Sequence, residues 1–262
     1  MCAASVALTA YVGHAARPRP RATFTPQVPG ASRAAGNRVF LEKADVLYKQ
    51  RTDSFMVVSG NVVFTKGPMT MKCDSAHYFP GVESFEAYGN VSMEQGDTLF
   101  VYADELNYIG PQEICYLYAD PGKKVRMINR DVMLQTDVFT YDLRTDVGYY
   151  NVGGVLTDRS NRLESLEGEY IPGTKDANFY VDVHLNSLSD NDTLDIYTDS
   201  LFYNTDSHIA ELYSPSRVIN ARGTIYTDNA YYDTDADTCA LYDRSVVTTP
   251  EGRFVVADTI YY

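Results

Sequence analysis

The sequence predicts an all-β chain of about seven to eight hairpin-like repeats stacked in a row, each ~30 residues long. Three observations predict it. A hexad of small residue, Asp, three variable residues and Tyr recurs as CDSAHY (73–78), ADELNY (103–108), TDVFTY (136–141), TDSLFY (198–203), TDNAYY (227–232) and ADTIYY (257–262). The closing residues Tyr78, Tyr108, Tyr141, Tyr170, Tyr203, Tyr232 and Tyr262 are separated by steps of 30, 33, 29, 33, 29 and 30, and a near-constant period of this size marks a repeat architecture. No segment shows a sustained 3.6-residue apolar period with caps, whereas Asp, Asn, Gly and Pro clusters such as YDLRTD, YIPGTKD and YDTDAD follow the hexads, as between strands.

Taken in order, residues 1–16 carry a short apolar run, too short to span a membrane. The run reads as the remnant of a secretory signal cut near Ala15 or Ala16, although the usual positive start is missing; a disordered tail is the alternative. Residues 17–38, with Pro18, Pro20, Pro26 and Pro29, read as a Pro/Arg-rich linker. The repeat domain spans 39–262, as one body or as two sub-units of about 39–150 and 151–262. Its first copy is degenerate: ADVLY at 44–48 sets Tyr48 one full period before Tyr78, with the Asp one residue nearer its Tyr. The copy SLEGEY at 165–170 has Leu166 in place of the Asp. A second series, Tyr88, Tyr118, Tyr150, Tyr180, Tyr213 and Tyr242, follows the hexad tyrosines at a step of 10, except Tyr150, where the step is 9. Length changes fall in the other half of each repeat, so one half is rigid and the other a tolerant loop.

The hexads define columns. Three residues before the Asp stand Met71, Val101, Leu134, Leu163, Ile196, Ile225 and Val255; two after it stand Ala76, Leu106, Phe139, Gly168, Leu201, Ala230 and Ile260. Strand side chains alternate between faces, so a flat strand would place these two columns on opposite faces. Either the strand is apolar on both, or its phase slips at the Asp through a bulge or bend that brings both columns inside. A bend repeated in every unit folds a sheet over on itself.

Composition excludes some functions. The chain is 45% hydrophobic and carries a net charge of −13. Residues 1–38 hold five Arg and no acid, which leaves 17 basic against 35 acidic residues beyond them; this is no nucleic-acid footprint. Cys115 and Cys239 share one repeat position four repeats apart, at least ~19 Å at ~4.8 Å per strand, beyond the ~7 Å limit for bridging. With Cys73 they are expected as buried free thiols. His77, His184 and His208 show no metal-ligand spacing, so neither a metal nor a cofactor is expected. The DTDAD run at 233–237 has Thr238 where a calcium loop needs its Gly, and reads as a turn. Asp74, Asp104, Asp137, Asp199, Asp228 and Asp258 form a column of equivalents, whereas a glycosidase needs one tuned pair. Repetition assigns these aspartates a structural role, such as accepting backbone N–H bonds at the bend, and the hexad tyrosines one as stacked cross-strand neighbours.

With SGNVVF at 59–64 and YGNVSM at 88–93, each followed by a stretch ending in Asp and Tyr, the chain resembles the OstA-like (LptA) family of lipopolysaccharide-transport proteins. Gly60-Asn61-Val62 and Gly89-Asn90-Val91 match the family's first strand; Ala103-Asp104 to Tyr108 and Ala257-Asp258 to Tyr262 match its second, and Tyr141-Asp142 and Tyr232-Asp233 its ending. The likeness covers roughly 39–262. It departs at NVGGV (151–155), VDV (181–183) and PSRV (215–218), which stand where Gly-Asn-Val is expected.

The resemblance implies antiparallel strands in two facing sheets, a bent jellyroll or "β-taco" with an apolar groove. It implies a non-enzymatic module that shields lipopolysaccharide acyl chains in the periplasm or cell envelope of a Gram-negative bacterium during outer-membrane assembly. The groove candidates are then Met71, Val101, Leu134, Leu163, Ile196, Ile225, Val255, Leu106, Phe139, Leu201 and Ile260. The implied partners are lipopolysaccharide or a related lipid and other β-modules of the kind joined by edge strands, including head-to-tail copies of this chain. A β-solenoid enzyme acting on polysaccharide and a structural or adhesive repeat protein are the alternatives. The columns alone do not decide between a groove and a filled core.

Overall fold

The computed structural model describes residues 38–49, 54–187 and 194–261. The signal and most of the linker, and Tyr262, lie outside them. Among the described residues 22 strands join in one continuous antiparallel sheet, with a single 3-10 turn at Pro80–Val82.

The sheet is creased along its middle. The strand Met69–Phe79 is buried at 69, 71 and 73, and then at 76 and 78. The inward phase therefore slips between Cys73 and Ala76. Partner strands show the cause: Val62 pairs with Cys73 and Ser59 with Ser75, so Gly60 and Asn61 together oppose Asp74 alone. The same two-against-one bulge recurs at Gly89-Asn90, Val181-Asp182 and Asp243-Arg244. At Asp137, Leu166 and Asp228 the chain bends and the strand divides, as Val132–Thr136 from Val138–Asp142.

The crease produces two leaves. Segments before the Asp, such as 69–73, 99–103 and 195–198, form the first leaf with their return partners. Segments after it, such as 75–79, 105–109 and 200–204, form the second. Both phases turn inward, so the leaves face each other. Phe64 of the first leaf stacks on Phe85 of the second, with ring centroids 4.1 Å apart at 5°. One apolar cluster runs between the leaves from Val39 to Val247.

Gly-Asn-Val has a local reason. Gly60 and Gly89 have φ of 77° and 74°, a region that favours glycine. A Cβ there would stand 2.5 Å from Asp45 Oδ2 and 2.6 Å from Asp74 Oδ2. Asn61 and Asn90 follow at φ 49° and 45°, and their Nδ2 atoms donate to those same carboxylates at 2.7 and 2.8 Å. Val62 and Val91 then enter the core. The degenerate first copy is thus a true repeat, with Asp45 at the crease. In VDV, Val181 (φ 63°) and Asp182 (φ 52°) take the Gly and Asn slots, and Val183 enters the core as Val62 does.

A single-residue difference in spacing explains the divergent repeat. Such a change reverses a strand's faces, and Tyr150, reached one position sooner than its counterparts, points inward and is buried. Tyr180 and Tyr242, reached at the usual step, are exposed. The Tyr150 side chain fills the space that Gly154 and Gly168 leave: a Cβ on Gly154 would lie 2.5 Å from its ring, and one on Gly168 2.5 Å from its hydroxyl. Its hydroxyl hydrogen-bonds Ser165 Oγ at 2.6 Å. SLEGEY therefore carries Gly168 where other hexads carry an apolar side chain.

Candidate functional site

The interior between the leaves has three kinds of boundary: the crease, the opposite mouth where the hairpin turns lie, and the two end strands. Met71, Val101, Leu134, Leu163, Ile196 and Ile225 of the first leaf are at most 2% exposed, as are Leu106, Phe139 and Leu201 of the second. These residues meet in one packed core, so the space between the leaves is occupied by side chains. Val255 is 56% exposed and Ile260 only partly buried, because among the described residues the strand Phe254–Tyr261 has a neighbour on one side only.

The mouth is closed by polar bonds between leaves. Tyr141 donates to Gln95 Oε1 at 3.2 Å, and Gln95 Nε2 to Asp146 at 3.1 Å. Tyr203 donates to Asp158 Oδ2 at 2.7 Å, while Asn161 Nδ2 donates to Tyr203 Oη and to Thr234 Oγ1 at 2.8 Å each. Asn220 donates to Tyr232 at 3.4 Å, and Tyr232 to Asp237. Lys66 and Glu113 pair at 3.4 Å across the same seam, both buried. Tyr141, Tyr203 and Tyr232 thus reach from the second leaf with ring in the core and hydroxyl in the seam. Burial pushes Tyr170 up to about 12 and raises Tyr141, Tyr203 and Tyr232 further, helped by Asp146, Asp158 and Asp237 respectively. These phenols stay protonated; Tyr141, Tyr203 and Tyr232 donate, while the buried Tyr170 hydroxyl has no hydrogen-bond partner among the described residues. The columns give no sign of the seam, since its other members, Gln95, Asp158 and Asn161, lie in the tolerant half-repeats.

The aspartate column lies on the outer side of the crease, each member with its own surroundings. Among the described residues only Asp104 of the column accepts a backbone N–H at its bend, from Asp120 at 2.8 Å; this N–H and the Lys123 ammonium hold its carboxyl below the usual range. Asp74 accepts from Asn90 and Asp137 pairs with Lys124 at 2.9 Å. The backbone N–H of Asp199 donates to Ser214 Oγ at 3.1 Å. These carboxylates are strung along the crease, not gathered in pairs around a cleft. His77, His184 and His208 each face an acid, Glu86, Asp195 and Asp235. In the DTDAD turn Asp233 Oδ1 accepts the N–H groups of Asp235 and Ala236. Cys73, Cys115 and Cys239 are buried free thiols, raised by burial, Cys73 and Cys239 to about 11.

Both end strands expose apolar side chains. At one end Val46, Leu47 and Tyr48 are each more than half exposed; at the other Phe254 and Tyr261 are more so. Among the described residues Phe40–Lys43 and Val46–Tyr48 pair only with Met56–Lys66, and Phe254–Tyr261 only with Thr238–Thr248. Among the described residues each end therefore presents unpaired backbone groups beside an end of the apolar interior.

A family profile described as OstA-like protein matches residues 36–190 and 186–249. Among solved structures the chain is similar to LptH of Pseudomonas aeruginosa, described as the LptA-homologous periplasmic component of its lipopolysaccharide transport device. Identity is 17% and the TM-score 0.35, over 40% of this chain and 76% of that one. No curated protein sequence matches the chain.

Proposed function

The chain belongs to the OstA-like family, and on that premise we propose that it is a non-enzymatic transport module of the cell envelope that carries lipopolysaccharide or a related lipid with its acyl chains between the two leaves. The observation that carries this reading is the continuous apolar column of both leaves, joined by covalent chain at the crease and by side-chain bonds alone at the mouth. Parting the leaves at the mouth exposes apolar surface at about 25 cal/mol per Å². An acyl chain laid along the opening covers that surface again, while its polar head stays in water, where charge need not be buried. The exposed end strands supply the route onward: a second β-module, or another copy of this chain, adds a strand there and prolongs the column. A head-to-tail contact of this kind does not close on itself and grows into open chains.

The test is a photo-crosslinking amino acid placed singly at Leu106, Leu201 and Asp235, with lipopolysaccharide present. Labelling at the two interior positions and not at the turn residue Asp235 is expected. Leu106→Asp is expected to weaken lipid retention. Equal labelling at all three positions would argue against lipid between the leaves.

A further inference from the structure

The outer faces of the two leaves differ in charge. The strand segments of the second leaf contain no Lys or Arg, whereas those of the first leaf carry, besides the buried Lys66, Lys43, Lys72, Arg126, Arg162 and Arg217. On this face, against the crease, lies a hollow of about 360 Å³ lined by Tyr197, Arg217, Tyr226, Asp228 and Arg244, with Val246 behind. Its size falls in the ~300–1,000 Å³ range of small-molecule sites.

The register builds it. Arg217 pairs across the ladder with both Tyr197 and Tyr226, and Tyr226 with Val246. The Arg217 guanidinium lies 4.8 Å from the Tyr197 ring centroid, and His184 stacks on Tyr197 at 4.4 Å. Arg217 is thus held in place by a cation–π contact, while the Tyr226 ring, 51% exposed, remains free to receive a ligand. Arg244 occupies the corner slot that Asn61 and Asn90 fill elsewhere, 16 residues beyond the Asp that each faces. It therefore shares the hollow with Asp228. Among the described residues neither Arg217 nor Arg244 is in an ion pair.

We infer that this hollow is a binding site for a phosphorylated sugar. Two guanidiniums without acidic partners match the paired oxygens of a phosphate. A carboxylate beside them accepts from sugar hydroxyls, and an exposed phenol ring offers an apolar face with a polar tip. A bare anion has no use for Asp228, and an uncharged sugar none for two arginines. The site lies outside the leaves and does not depend on what the interior carries.

The test is calorimetric titration of the full chain with glucose 6-phosphate, glucose and inorganic phosphate. Saturable binding of glucose 6-phosphate is expected, with glucose and phosphate each at least about tenfold weaker. Arg217→Gln and Arg244→Gln are each expected to weaken it about tenfold, and Tyr226→Ala to weaken it with an unchanged circular dichroism spectrum. Arg126→Gln, which removes the arginine over Tyr102, is expected to leave it unchanged. Phosphate binding as tightly as the sugar phosphate would overturn the assignment to a sugar. Full affinity in the Arg217→Gln/Arg244→Gln double variant would place the ligand elsewhere, and absence of saturable binding would remove the site. None of these results bears on crosslinking at Leu106 and Leu201.

Discussion

At the scale of single residues, the crease is a conformational demand that different repeats meet with different amino acids. Gly60 and Gly89 meet it without strain, while Val181 sits at φ 63°, where a β-branched side chain is a genuine outlier. Left-handed backbone costs an ordinary residue ~1–2 kcal/mol, and the added chain entropy of glycine offsets ~0.5–1 of that. Val181→Gly is therefore expected to stabilise the fold by up to about 1 kcal/mol, read as a higher urea midpoint; a lower midpoint would show that Val181 is not strained. The buried phenols make a second claim. Their folded pKa values lie above the unfolded value near 10, so above pH 10 the unfolded chain gives up protons that the folded chain keeps. Stability is full below pH 10 and falls as pH rises through 10 to 12, at about 1 kcal/mol per pH unit for each such phenol. Denaturation midpoints across that window check the sign, and a flat profile would mean that these hydroxyls reach water.

At the scale of strands, legibility in the sequence followed locality. The bulge at the hexad Asp could be read because it puts two apolar columns out of phase within one strand. The inward turn of Tyr150 also had a signal, its shortened step from the hexad, and its consequence at Gly168 needed the register to be seen. The Val181-Asp182 and Asp243-Arg244 corners could not be read, because backbone in the left-handed region is signalled by Gly and Asn and these pairs have neither. The Tyr150–Gly168 coupling is testable. Gly168→Ala is expected to cost about 1–3 kcal/mol through overpacking, and Tyr150→Leu in the same chain to recover part of it. Additive losses in the double-mutant cycle would show that the two do not touch. The final strand carries a further expectation. A lysine on a strand edge blocks pairing with another chain, so Val255→Lys should lower any concentration-dependent association in sedimentation velocity. Undiminished association would place the contact on another surface.

At the scale of the whole molecule, the two long sides of the folded sheet are unlike. The crease is continuous chain, and no motion separates the leaves there without unfolding a strand. The mouth is held by side chains distant in sequence, such as Tyr141 with Gln95 and Tyr203 with Asp158. That seam escaped the repeat pattern because its partners come from the tolerant half-repeats, where no column exists. On the proposed function the molecule works as a hinge, with the crease as pivot and the mouth as the side that opens. The packed interior and the proposed cargo are compatible only if this hinge works. The direct measurement is the spin-label distance across the mouth, from Asp97 to Thr145, in a chain with Cys2→Ser, with and without lipopolysaccharide; the remaining thiols are buried. A second pair along the crease, Asp74 to Asp104, serves as reference. Lipid held between the leaves requires the mouth distance to lengthen while the crease distance stays constant. A mouth distance unchanged by saturating lipid would contradict the account.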